Sequence, residues 1–183
     1  MIRYYITDRR QLGGIDSLLE SIARNIAQGV EYIQIREKDL SSRDLVDLVR
    51  KAVQIRASSK ILVNTRADIA IACGADGVHL PSDTPILNYG IPGFLTGVSC
   101  HTMDDLREAQ SAGASFAVYG PVFPPRSKLH TGPVTGLDQL REACHSVRIP
   151  VFALGGVTSE NAAACIQSGA AGIAAITLFQ SHP

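Results

Sequence analysis

Gln34, Arg36 and Lys38 occupy every second position of Gln34-Ile35-Arg36-Glu37-Lys38, a segment that closes an apolar, strand-like run. A β-strand sends alternate side chains to opposite faces, so these three polar groups share one side and Ile35 takes the other. Cations recur in Asn64-Thr65-Arg66 and in Pro125-Arg126-Ser127-Lys128, again just after short apolar runs. A cation on a buried strand face needs an anion, and few carboxylates stand in these segments to supply one. An anionic ligand is the simpler partner. Gly155-Gly156 adds to the set, because backbone without side chains can approach a ligand, and a helix opening at Ser159 would present N–H groups to a phosphate. A tight turn explains the glycine pair equally well. His79 and His101 fall beside the same segments and carry rings that exchange a proton near neutral pH, although a structural role is the more ordinary one.

Repeated elements must position these groups. Four phrases recur at intervals of 45, 39 and 56 residues, beginning at Gly29, Gly74, Gly113 and Gly169. Each follows a helical pattern and leads into an apolar run, as expected of a glycine that closes a helix before a buried strand. Strands are predicted at Tyr4–Thr7, Tyr32–Arg36, Ile61–Asn64, Gly77–Leu80, Leu95–Ser99, Phe116–Gly120, Val151–Leu154 and Ile173–Thr177. Their continuous apolar character suits parallel strands covered on both faces. Between them, Leu18, Leu19, Ile22 and Ile26 share one helical face. Ser41 and Thr102 stand three residues before Asp44 and Asp105, the spacing of an N-terminal helix cap. Eight strands alternating with helices predict an α/β fold, a compact (β/α)8 TIM barrel forming a single domain over residues 1–183. A doubly wound open sheet fits less well, since the first turn, Thr7-Asp8-Arg9-Arg10, lacks a glycine-rich fingerprint. In such a barrel the cationic segments all lie at the C-terminal ends of strands, where this fold keeps its chemistry.

Two helices are thin. Thr84 to Phe94 contains two prolines and two glycines, so helix 4 is expected to be reduced to a turn. Only six residues follow Thr177, so helix 8 is essentially missing, and either a second copy of the chain is expected to cover the flank it leaves or the chain is expected to be cut short relative to its gene product. Composition narrows the partners. Seventeen basic against seventeen acidic residues give no net charge, which excludes a general affinity for nucleic acid or an anionic membrane. No apolar run approaches the roughly 18 residues of a membrane span, and no apolar signal core opens the chain. Four scattered cysteines without a C-x-x-C pair suit small buried side chains in a reducing cytoplasm.

Seven motifs in order carry a resemblance: Tyr5-Ile6-Thr7-Asp8; Gln34-Ile35-Arg36-Glu37-Lys38; Asn64-Thr65-Arg66 with Asp68; Asp76-Gly77-Val78-His79-Leu80; Gly97-Val98-Ser99-Cys100-His101-Thr102; Gly120-Pro121-Val122-Phe123 with Lys128; and Ala153-Leu154-Gly155-Gly156-Val157 with Asn161. Over nearly its whole length the chain resembles the thiamine phosphate synthase/TenI family. The resemblance implies a cytoplasmic barrel acting on small phosphorylated molecules. The synthase joins hydroxymethylpyrimidine diphosphate to thiazole phosphate and releases pyrophosphate, whereas the TenI-type enzyme moves a proton to aromatise a thiazole phosphate carboxylate. It further implies that Gln34, Arg36, Lys38 and Asn64 contact the pyrimidine diphosphate, with Arg36, Lys38 and Lys128 as the catalytic cations. Ser99 and Ser127 would add hydroxyl contacts, and Gly155, Gly156, Ile176 and Thr177 would cradle the thiazole phosphate.

The departures from the family pattern are equally specific. The synthase carries Asp where this chain has Thr65, and a second Asp where it has Thr84, with Asp83 one residue early. A hydroxyl replaces a carboxylate poorly on Mg²⁺, so the metal is doubtful and Asp83, helped by Asp8, is its remaining ligand. The TenI-type histidine is replaced by Pro121. Two functions follow from these facts: an enzyme of thiamine biosynthesis, or a non-catalytic binder of thiazole phosphate or thiamine phosphate that keeps the pocket as sensor or carrier. A phosphosugar isomerase on the same fold rests on analogy alone.

Overall fold

In a computed structural model that describes residues 1–124 and 133–180, the eight parallel strands pair in sequence order and close on themselves. They are β1 (Ile2–Ile6), β2 (Tyr32–Ile35), β3 (Lys60–Asn64), β4 (Gly77–Leu80), β5 (Leu95–Cys100), β6 (Phe116–Tyr119), β7 (Val151–Leu154) and β8 (Gly172–Ala175). The helices are α1 (Ile15–Ala27), α2 (Ser42–Ile55), α3 (Ala67–Ala72), α4 (Met103–Ser111), α5 (Gly136–Ser146), α6 (Ala162–Gln167) and α7 (Thr177–Gln180). No helix separates β4 from β5, as the prolines and glycines of that loop predict.

Alternation along the strands divides the core. Tyr4, Ile6, Leu62, Phe116, Val118, Phe152 and Ala174 point into the barrel and form its filling. Phe116 and Phe152 stack with centroids 4.8 Å apart, and Tyr4 meets Phe116 edge-on at 5.5 Å. Opposite parity sends Tyr5, Ile33, Ile61 and Val63 outward against α1 and α2. Full burial of a large apolar side chain contributes about 1.5–3 kcal/mol, against about 0.5–1.5 kcal/mol for an ordinary neutral hydrogen bond, so the aromatic filling is a main support of the strand ends. The helix caps form as their spacing predicts. Ser41 Oγ accepts from Asp44 N, and Thr102 with Asp105 makes a reciprocal capping box.

Strand and helix limits move by one to three residues, each for a visible reason. β2 ends before Arg36 because the Arg36 N–H donates to Thr7 Oγ1 (2.9 Å). β8 stops at Ala175 because Ile176 O accepts from Phe179 N and Gln180 N, which turns the chain into α7. α6 opens at Ala162 instead of Ser159. Asn161 occupies the preceding turn, accepting from Thr158 N and donating to Gly156 O.

The flank expected to lie bare after β8 is covered from within the chain. Phe179 packs on Tyr5 with ring centroids 5.8 Å apart. Gln180 is buried, accepts from Tyr5 Oη (3.0 Å) and Asp8 N (2.8 Å), and donates to Asp8 O. Asn25 Nδ2 donates to Phe179 O. Exposed large apolar side chains stand elsewhere, including Ile71 on α3 and Leu87 and Ile91 in the β4–β5 loop. Among the described residues, α7 therefore covers part of the flank that the missing helix would otherwise leave.

Candidate active site at the C-terminal mouth of the barrel

Inward parity decides which side chains reach the mouth. β2 turns Gln34 inward and Arg36 continues the alternation; β3 contributes Asn64, β4 His79, β5 Ser99 and β8 leads to Ile176. Gln34 Nε2 donates to Tyr4 Oη at 3.0 Å. Tyr4 Oη lies 3.1 Å from His79 Nδ1, and His79 Nε2 lies 2.9 Å from Ser99 Oγ. Four strands thus share one polar chain under the mouth. Gln34, Tyr4 and His79 are buried and Ser99 is half-buried at the upper end. Burial pushes the His79 imidazolium down to about 3, and the charge of Arg36 acts in the same direction. Burial also holds the Tyr4 phenol well above its usual range. Both groups are neutral at pH 7. Among the described residues no fully buried side-chain nitrogen or oxygen lacks a hydrogen-bond partner.

The cations separate into two kinds. Arg36 is half-buried and Lys38 exposed, and among the described residues neither belongs to an ion pair. Arg66 does not join them. Its guanidinium is held by Asp68 (2.8 and 2.6 Å) and also donates to Ser42, which corrects the reading of Arg66 as an unmatched rim charge. Ser127 and Lys128 lie outside the described residues, as does Arg126.

A second network holds the Arg36 loop. The Glu37 side chain is only 2% exposed and accepts from Thr7 Oγ1 (2.7 Å), Arg9 N and Arg9 Nη1. Thr7 Oγ1 in turn accepts the Arg36 N–H. Arg9 makes two further bonds of 2.7 Å to Asp39, holding that carboxyl well below the usual range. The β1 and β2 ends are therefore clamped together by a buried carboxylate that strand patterning overlooked, because Glu37 has the outward parity of Ile35.

Mg²⁺, which the family resemblance implies, finds a poor donor set here. Thr65 Oγ1 donates to Asn64 O, and Thr65 and Thr84 offer hydroxyls where a hard cation favours carboxylates. Asp83 lines an outer groove of about 250 Å³ with Asp105 and Glu108 of α4. Asp8 is engaged in capping the turn after β1, where it accepts from Arg10 N and Gln11 Nε2. No group of three His, Cys, Asp or Glu side chains suited to a metal occurs among the described residues.

Gly155 and Gly156 have φ of 96° and 59°, and a Cβ on either would press against Pro121 or Pro124 of the neighbouring loop. Close packing between the β6 and β7 loops thus accounts for the glycines without a ligand, though their backbone still borders the mouth. Ile176 follows β8, and Thr177, exposed, opens α7. The six-residue α6 starts three residues later than expected, so its N-terminus adds less than the sequence suggests.

A closed barrel of eight parallel strands, with a hydrogen-bonded neutral floor and, among the described residues, Arg36 and Lys38 outside any ion pair, defines the class of (β/α)8 barrel proteins. The profile of the family described as "Thiamine monophosphate synthase" matches residues 3–179. The chain belongs to that family. A Geobacter sulfurreducens protein named "Putative thiamine-phosphate synthase" is 41% identical over 192 residues, covering 98% of this chain and 87% of that protein. A "Thiamine-phosphate synthase" of Methanocella arvoryzae is 38% identical, covering 98% and 87%. The solved thiamine phosphate pyrophosphorylase of Pyrococcus furiosus superposes with a TM-score of 0.85 at 30% identity, covering 99% of this chain and 88% of that one. No helix among the described residues is long and apolar enough to cross a membrane.

Proposed function

We propose that the chain catalyses thiamine phosphate formation from hydroxymethylpyrimidine diphosphate and thiazole phosphate. The bond from the pyrimidine methylene carbon to the diphosphate oxygen breaks, and diphosphate leaves with the electron pair. The thiazole nitrogen lone pair then forms the new C–N bond. Departure of so charged a group needs cations close to its oxygens. Arg36 and Lys38 at the end of β2 would supply them, and Lys128 matches that role by resemblance. Ser99 would donate a hydroxyl hydrogen to a phosphoryl oxygen. Asn64 and Gln34 would border the pyrimidine, with the backbone of Gly155, Gly156, Ile176 and Thr177 beside the thiazole phosphate. The observation that carries the reading is Arg36, half-buried above a neutral, hydrogen-bonded floor and outside any ion pair among the described residues. Because the donor set suits Mg²⁺ poorly, charge compensation falls on the protein cations.

Thr65 and Thr84, in place of carboxylates, favour a second reading as a non-catalytic binder of the same phosphorylated ligands. Incubation with both substrates and Mg²⁺, followed by quantifying thiamine phosphate, separates the two. The synthase reading expects product above a no-enzyme blank. No product, together with a rise in melting temperature on adding thiazole phosphate, would replace it by the binder.

A further inference from the structure

Ser99 has one hydroxyl hydrogen to give, and the polar chain beneath it determines where that hydrogen points. Gln34 Nε2 donates to Tyr4 Oη, so the Tyr4 hydrogen is left for its other neighbour, His79 Nδ1. A neutral imidazole that accepts at Nδ1 carries its hydrogen on Nε2, which lies 2.9 Å from Ser99 Oγ. Ser99 Oγ then accepts from below, and its own hydrogen is directed to the open side. The ring has little freedom to reverse this order. Its centroid lies 5.8 Å from that of Tyr4 and 6.3 Å from that of Phe116, and a Cβ on Gly97 would come within 2.9 Å of Nδ1.

We infer that Tyr4 and His79 are positioning residues, which act through Ser99 by fixing its hydroxyl as a donor toward the mouth. The inference rests on the reading of that mouth as the diphosphate site. A serine free to rotate presents either lone pair or hydrogen to a phosphoryl oxygen, and only the hydrogen attracts it. Pre-orientation removes the repulsive arrangement before substrate arrives. Tyr4 never touches substrate in this arrangement; it determines the tautomer of the ring above it.

The decisive experiment is a double-mutant cycle of Tyr4→Phe and Ser99→Ala in the two-substrate assay, with melting temperatures recorded in parallel. Tyr4→Phe is expected to lower kcat about five- to tenfold, the size of one lost orienting hydrogen bond, with KM for the diphosphate nearly unchanged. In the Ser99→Ala background the same change is expected to have no further effect on kcat. Equal losses in both backgrounds would overturn the inference, since a merely structural role gives additive effects; so would an unaffected kcat. ¹⁵N NMR of the ligand-free wild-type protein decides the matter even if the wild type forms no product or Tyr4→Phe fails to fold. His79 protonated on Nε2 alone at neutral pH supports the relay, and hydrogen on Nδ1 refutes it. Failure of the synthase reading is thereby kept distinct from failure of the relay.

Discussion

Thr65 takes a left-handed backbone, φ 59°, in which a β-branched side chain is uncommon and Asp or Asn is several-fold enriched. Its N–H donates to His79 O at 2.9 Å, so the conformation is imposed by the join between β3 and β4 and not by the threonine itself. That backbone therefore accommodates the Asp which the family resemblance implies at this position. Thr65→Asp is expected to leave the urea midpoint unchanged or higher and to create a Mg²⁺-dependent rise in melting temperature. No response across a Mg²⁺ titration would contradict that account. The inward placement of Gln34 and Arg36 was readable from strand parity, whereas Ser99 entered only through the family resemblance. The partner of Arg66 was not readable, because pairing with Asp68 two residues away depends on how the β3–α3 turn folds. Tyr4 was missed for a related reason. Its partner His79 is 75 positions distant, although both residues carry inward parity on short strands.

At the scale of elements, the C-terminal ends of β1 and β2 behave as one unit through Glu37, Thr7 and Arg9. Removing a buried carboxylate leaves Arg9 with Asp39 alone and Thr7 without its acceptor, so Glu37→Ala should cost about 2–3 kcal/mol. The loss should also appear in the site, because Thr7 fixes the backbone of Arg36. Urea unfolding and diphosphate affinity are both expected to fall in Glu37→Ala, whereas an intact affinity would uncouple the clamp from the mouth. The eight strands and the reduced helix 4 were legible because apolar runs, glycine junctions and a proline-rich loop are local signals. Strand ends were less so. Whether Arg36 continues β2 is decided by the hydroxyl of Thr7 on another strand, and α7 forms where the pattern suggested more strand because Ile176 O turns back onto Phe179 and Gln180.

The whole molecule is formally neutral, yet Arg36, outside any ion pair among the described residues, acts on a buried histidine flanked by Tyr4 and Ser99. This arrangement makes stability depend on pH with a definite sign. Between about 3 and 6.5 the unfolded chain holds a proton on this ring that the native state lacks, so stability rises with pH across that window and is complete above it. Urea unfolding should therefore show a progressive loss from about pH 6.5 to about pH 5, with a slope from this one proton of at most about 1.4 kcal/mol per pH unit. A flat profile would contradict a buried neutral His79. If the mouth of this barrel receives phosphoryl groups through Arg36, calorimetric titration of inorganic pyrophosphate into the wild type and into Arg36→Ala will tell the two proteins apart. Salt-sensitive binding by the wild type, weakened at least about tenfold in the variant, is the predicted result. Absence of binding to the wild type, or equal binding by both proteins, would contradict it.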